Sequence, residues 1–347
     1  MTHAGVIYIM DVKEKKSAVI GLSTFKGGRK MRFQKAVWGL LFGCCLVLSG
    51  RGEAVESKLK GVMYADYYYN ASGADKEQNG FQFRRVYLTF DLKWDDAFSG
   101  RVRLESKDGG FGSGKKMEPF VKHAYVRYQK DRHTLYMGLS GTPTWNITEG
   151  IWGYRPVEKT IMDRNKIASS ADIGLAYHGR LDEEGKANVQ VMLANGNGQV
   201  AENNNQKKIY GLIHFKPGSL NLTAYGDWEK RAGGNRTTFA AFLGIKNDTF
   251  QGGLEAFTQL RKNPDHQARG VSLFGAGKLS DRAKGFARVD LFDPHDKTAG
   301  DRKIFFVGGI DFEPVKDIHI IPNVMGTSFQ GGVDADVMPR MTLYVKF

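Results

Sequence analysis

From residue 58 onward the chain repeats one pattern, segments of about 8–12 residues in which apolar and polar side chains alternate. Val86, Leu88, Phe90 and Leu92 alternate with Arg85, Tyr87, Thr89, Asp91 and Lys93. Ala287, Val289 and Leu291 alternate with Arg288 and Asp290. A strand points successive side chains to opposite faces, so each segment is a strand with one apolar and one polar face. The pattern predicts sixteen strands, near 58–69, 80–93, 100–106, 119–128, 132–139, 171–180, 187–194, 208–215, 219–228, 237–245, 249–260, 269–279, 284–292, 303–312, 317–323 and 338–347.

The connections alternate in length. Short ones carry turn residues, as in Lys216-Pro217-Gly218 and Lys246-Asn247-Asp248. Longer ones, near 70–79, 107–118, 140–170, 195–207, 229–236, 261–268, 293–302 and 324–337, are rich in Gly, Asn, Asp and Lys. A soluble β-sandwich also has many short strands but no reason to keep one connecting side short. An up-and-down membrane barrel has that reason, since its turns lie on one side and its loops on the other. The expected fold is therefore all-β, a transmembrane antiparallel barrel of about 16 strands, wide enough to leave an aqueous lumen. The mean hydropathy of −0.39 agrees with this. It excludes a bundle of apolar helices, whereas lipid-facing and lumen-facing residues of a barrel average out.

Both chain ends carry export signals. Met31 to Lys35 is a basic stretch, Ala36 to Ser49 an apolar one, and Gly52-Glu53-Ala54 supplies small residues for cleavage. This is the pattern of a secretory signal peptide over 31–54, preceded by an N-terminal extension, 1–30, that reads as a misplaced start. The two cysteines, Cys44 and Cys45, fall in that leader, so the mature part has no disulfide and no cysteine metal site. At the other end, Met341, Leu343, Val345 and Phe347 share one face, with Thr342, Tyr344 and Lys346 on the other. A final Phe preceded by alternating apolar residues resembles the terminal signal that the barrel-assembly machinery reads. The expected location is the Gram-negative outer membrane, with its lipid as the surrounding partner. The formal charge of +13 could otherwise suggest nucleic acid, but 1–54 holds nine basic and three acidic residues, and export removes that partner.

Several stretches resemble the phosphate-selective porin O and P family. They are Phe83-Arg84-Arg85-Val86-Tyr87-Leu88, the Phe120 to Tyr128 segment ending in Ala-Tyr-Val-Arg-Tyr, Leu135 to Pro143, and Ala171-Asp172-Ile173-Gly174-Leu175. The resemblance is clearest over 80–180 and at the C-terminus. It implies a 16-stranded, usually homotrimeric porin whose third long loop folds into the lumen. No lysine cluster matches a phosphate site, so the solute class stays at small anions or polar solutes.

The candidate site follows from position. The connection 140–170 is the longest and holds Trp145, Trp152, Tyr154, Arg155, Lys159 and Arg164 as constriction candidates. Val157 to Ile167 could form a short helix within it. Arg85, Arg101, Arg103 and Arg127 share the polar parity of strands two to four. They form either a basic ladder that attracts anions or, with Asp91 and Glu105 beside them, a neutralised network that stiffens the wall. His123 and His178 have no second ligand at metal spacing, and no cofactor is expected. Two other functions compete with a diffusion pore. A barrel-embedded hydrolase would need a nucleophile and base to converge, for which Ser140 and His178 are the conceivable pair. A plugged structural or adhesive barrel would use bulky inward residues such as Phe242, Phe257 and Phe305.

Overall fold

A computed structural model describes residues 55–231 and 233–347. The extension 1–30 and the leader 31–54 lie outside the described residues. Sixteen antiparallel strands close into a barrel in sequence order, with β1 pairing β16. They are β1 (Glu56–Tyr69), β2 (Asn79–Lys93), β3 (Phe98–Ser106), β4 (Phe120–Lys130), β5 (His133–Gly141), β6 (Ala171–Arg180), β7 (Ala187–Ala194) and β8 (Lys208–Phe215). The second half comprises β9 (Leu220–Arg231), β10 (Gly234–Lys246), β11 (Phe250–Arg261), β12 (His266–Ser280), β13 (Ala283–Asp293), β14 (Lys303–Val315), β15 (Ile318–Phe329) and β16 (Asp336–Lys346). Closure pairs every strand on both sides, which leaves no open edge inside a membrane.

The faces sort as the alternation predicts. On β12, Val271 and Leu273 are exposed on the outside, whereas Ser272 and Phe274 are buried inside. On β13, Val289 and Leu291 face out, and Arg288 and Asp290 face in. Aromatic side chains crowd both outer rims. Tyr67 and Phe81 pack at 4.9 Å near the long-loop end. Phe98 and Tyr128 pack at the same distance near the short-turn end, where Trp94, Phe215 and Phe312 are also exposed. Rings at these two levels suit the membrane interfaces. On β16, Met341, Leu343 and Phe347 are exposed on the outer face, and Thr342 is fully buried inside.

Three expected loops are shorter than their composition suggested. The connection expected at 229–236 shrinks to 232–233, because β9 and β10 run on together. Their polar ends pair across the strands, with Arg236 2.6 Å from Glu229. That expected at 261–268 reduces to 262–265. β15 continues to Phe329, well past the expected 323, because inward Asn323 and Thr327 find partners in Thr342 and Arg164. Polar residues that face a lumen read, in sequence, like loop.

Two β-bulges on the first strands matter for the site. Tyr64 pairs Arg85 and Ala65 pairs Phe83, so Arg84 is an extra residue in β2. Arg103 pairs His123 and Leu104 pairs Val121, so Lys122 is an extra residue in β4. A bulge re-aims one side chain and resets the parity beyond it.

Candidate functional site: a basic wall facing a clamped loop

The segment between β5 and β6 contains two helices, α1 (Asn146–Trp152) and α2 (Ile161–Arg164). The expected helix over 157–167 is only the single turn α2, and α1 was not expected. Thr148, Ile151 and Trp152 fall on one face of α1 and are buried. Gly153 ends the helix in the left-handed region, at φ 72°. A Cβ there would lie 2.6 Å from the Gln251 amide nitrogen, so both conformation and space call for glycine.

Apolar side chains of this loop pack on the inward row of the barrel in two clusters. Trp145, Ile161, Met162 and Ile167 meet Met192, Tyr210, Tyr225 and Phe257. Ile151, Trp152, Tyr154 and Val157 meet Phe242, Phe274, Phe286 and Phe305. Tyr154 stacks on Phe286 at 4.2 Å. Among the constriction-loop candidates, Trp145, Trp152 and Tyr154 are thus buried and anchor the loop to the wall. Phe242, Phe257 and Phe305, the residues that suggested a plug, fill the space beneath the loop.

Polar wall side chains hold the loop backbone. A loop has no ladder to satisfy its carbonyls, so each needs another donor. Lys246 donates to the Gly150 carbonyl at 2.9 Å, Gln251 to Trp152 at 3.0 Å, and Gln259 to Ile167 at 2.7 Å. Arg288 donates to the Lys159 carbonyl. Arg84 donates to the carbonyls of Pro156 and Val157, and Arg340 also to Val157. Asp66, its side chain fully buried, lies beneath both: it accepts from Arg84 and is 3.7 Å from Arg340. This clamp joins β1, β2 and β16. Burial pushes the nearby Glu158 carboxyl up, but Arg340, the Lys159 amide, Arg84 and Arg164 together hold it below its ordinary value. Arg164 itself turns to the wall, donating to Thr327 at 2.9 Å with its guanidinium over Phe305.

The loop's other face is ionic. Arg155 lies 2.9 Å from Glu149 and 3.1 Å from Asp163, and Lys159 is 3.6 Å from Asp163. Burial pushes the Glu149 carboxyl above its ordinary value, while Arg155, Arg85 and Lys122 pull it down. The last two stand on the barrel wall, so the loop and the wall of β2–β4 sense each other's charge.

On that wall the four arginines of the sequence reading stand side by side. Arg101 is opposite Asp91 and Tyr125, Arg103 opposite Thr89 and His123, and Arg127 opposite Ser99 and Tyr136. Arg85 is 3.0 Å from Glu105, and Arg101 is 2.6 Å from Asp91. Arg103 donates to Thr89 at 2.8 Å. Two cations that parity had placed on the lipid side join the inner face through the bulges. Lys122 reaches Glu105 at 3.4 Å and Ser170 at 2.8 Å, and Arg84 enters the clamp. Lys60 also approaches Asp91, at 2.7 Å. Among the described residues outside the clamp, the inward row of β1–β4 thus carries eight cations (Lys58, Lys60, Arg85, Lys93, Arg101, Arg103, Lys122 and Arg127) against three carboxylates, Glu56, Asp91 and Glu105. The wall is partly neutralised and remains basic.

The pair considered for hydrolysis does not converge. Ser140 pairs Asp172 and His178 pairs Thr134, six residues apart along β6, or about 20 Å. Among the described residues no group of three His, Cys, Asp or Glu could hold a metal ion.

A closed sixteen-stranded barrel with lipid-suited outer rims and a basic inner wall has the architecture of outer-membrane porins. Residues 58–144 match the model of the family described as phosphate-selective porin O and P, and over that stretch the chain resembles that family. The match covers the β2, β4 and β5 motifs of the resemblance; the Ala171 stretch and the C-terminal strand lie beyond it. Among solved structures, the anion-selective porin from Comamonas acidovorans is 14% identical, covering 84% of this chain and 100% of that one with a TM-score of 0.63. The outer membrane channel DcaP of Acinetobacter baumannii is 13% identical, covering 86% and 100% with a TM-score of 0.64. OmpT of Vibrio cholerae in its trimer form is 12% identical, covering 85% and 100% with a TM-score of 0.61. At these identities the likeness is one of fold. No curated protein sequence matches the chain.

Proposed function

We propose that the protein is a passive, water-filled channel that prefers small anions. The loop between β5 and β6 narrows the lumen, and Arg85, Arg101, Arg103, Arg127 and Lys122 line the side opposite it. The observation that carries this reading is the excess of cations on the inward row of β2–β4. Charge of one sign in a narrow, low-dielectric passage concentrates the opposite ion. No reaction chemistry is required.

The assembly reading rests on weaker supports. The outward Met341, Leu343, Val345 and Phe347 fit recognition of the last strand by the barrel-assembly machinery. The trimer form of a solved structure of the same fold supports a homotrimer. Export through the 31–54 leader remains the route that the sequence proposes.

The test is single-channel conductance of the refolded protein in a planar bilayer under a KCl gradient. A reversal potential showing chloride preference is expected. Potassium preference would remove the basic wall from the mechanism, and a folded barrel without conductance would remove the channel.

A further inference from the structure

The inner surface has two unlike halves. One is covered by the loop, whose aromatic contacts are used up in packing. The other carries a run of rings that crosses from β15 to β6 through the barrel seam. His319 stacks on Tyr344 at 5.0 Å, Tyr344 meets Tyr64 at 5.4 Å, and Tyr64 meets Tyr87 at 6.4 Å. The run continues through Arg103, whose guanidinium lies 5.0 Å from the Tyr87 ring centre. His123, opposite Arg103, is 6.2 Å from Tyr125. Tyr125 then meets Tyr136 at 5.3 Å, and Tyr136 meets His178 at 4.8 Å. Arg85 sits 5.3 Å from the Tyr87 ring centre and 6.0 Å from that of Tyr64.

Near the two ends of this belt, Tyr136 and Tyr344 abut the two apolar clusters under the loop. Tyr64, Tyr87 and Tyr125 belong to neither. Tyr87 and Tyr125 are half-buried. A wall that only held water and inorganic ions would need charge and small polar groups. This one interleaves phenol rings with guanidinium groups. A guanidinium pairs a carboxylate in its own plane, and a neighbouring ring face offers dispersion and edge contacts to a flat apolar body. Neither partner alone distinguishes a flat organic anion from chloride; adjacent, they do.

We infer that the belt makes the channel favour organic anions with a flat apolar face, aromatic carboxylates being the simplest, over smaller anions lacking one. This rests on the anion-channel reading above and adds a solute class to it. Size alone gives the opposite order, since a sieve passes acetate more readily than benzoate.

The experiment separates the two. Chloride preference in a KCl gradient tests the channel reading first. Reversal potentials with sodium benzoate on one side and sodium acetate on the other then give the permeability ratio. The expected ratio favours benzoate by about threefold. Combining Tyr87→Leu with Tyr125→Leu, which keeps apolar bulk and removes the rings, should bring it to one or below. Tyr125→Leu alone gives the same comparison with a smaller change if the double variant does not refold. A wild-type channel that prefers chloride but passes acetate better than benzoate overturns the belt and leaves the channel. An unchanged ratio in the variants also overturns it. Absent conductance, or potassium preference, overturns the channel reading and the belt together.

Discussion

Arg103 and Arg127 stand apart from the other wall arginines because, among the described residues, no carboxylate lies within ion-pair distance of either. Arg85 and Arg101 share theirs with Glu105 and Asp91. A unit charge about 8 Å from a passing ion is worth about 0.5 kcal/mol in water. Arg103→Glu or Arg127→Glu should therefore lower the chloride-to-potassium permeability ratio by at least about twofold. Asp91→Asn or Glu105→Gln should raise it, because each removes a negative charge from the same wall. Reversal potentials of the four variants check both signs, and a rise with Arg103→Glu would refute the ladder. A second residue-scale prediction concerns the clamp. Asp66→Ala removes the buried carboxylate that Arg84 and Arg340 share and leaves Arg340 only the more distant charge of Glu158, a loss of about 3–5 kcal/mol that a shifted urea midpoint would show. The four ladder arginines could be read from sequence because each keeps the polar parity of its strand. Arg84 and Lys122 could not, since each is the extra residue of a bulge, and counting by twos sends both toward lipid. The doubled arginine of Phe83-Arg84-Arg85 was visible, but its division into one clamp residue and one wall residue requires the register.

At the scale of elements, sequence and structure agree where one face meets lipid. A strand between lipid and water must alternate, and a one-residue slip would turn its whole apolar set inward. The strands pressed by the loop keep the same outward row. Leu273, near the middle of β12, belongs to it, and Leu273→Arg should cost about 2–4 kcal/mol in unfolding free energy. Equilibrium unfolding in urea from vesicles would measure it; a cost near zero would mean that Leu273 lies off the membrane midplane. The inner row is harder to read, because it takes polar residues toward water and apolar ones toward the loop. Phe242, Phe257 and Phe305 suggested a plug for that reason. The ends of β9, β10 and β15 read as loop because their polar side chains pair across strands rather than with solvent. Helix α1 was missed because it is two turns long and lacks a capping side chain. Its stability comes from burying Thr148, Ile151 and Trp152 on a wall that no local pattern reveals.

At the scale of the whole molecule, closing the barrel and placing the loop are one event. Asp66, Arg84 and Arg340 come from the first, second and last strands, so the clamp exists only once β16 has paired with β1. The clamped loop then sets how close a passing ion runs to the basic wall, and that distance decides how salt acts on selectivity. Screening reaches about 10 Å at 0.1 M salt and about 3 Å at 1 M. If the wall selects through its field across water, chloride preference should be clear with KCl near the lower concentration. It should shrink toward unity near the higher one, while conductance keeps rising. If anions are instead stripped of water at a tight contact, the preference would persist at both concentrations. Most of the wall arginines are half-buried rather than sealed, and Asp91 and Glu105 hold part of their charge, which favours the field. Reversal potentials at a fixed concentration ratio, taken across that range, distinguish the two, and a preference independent of salt would move selection from the field of the wall to a single binding point on it.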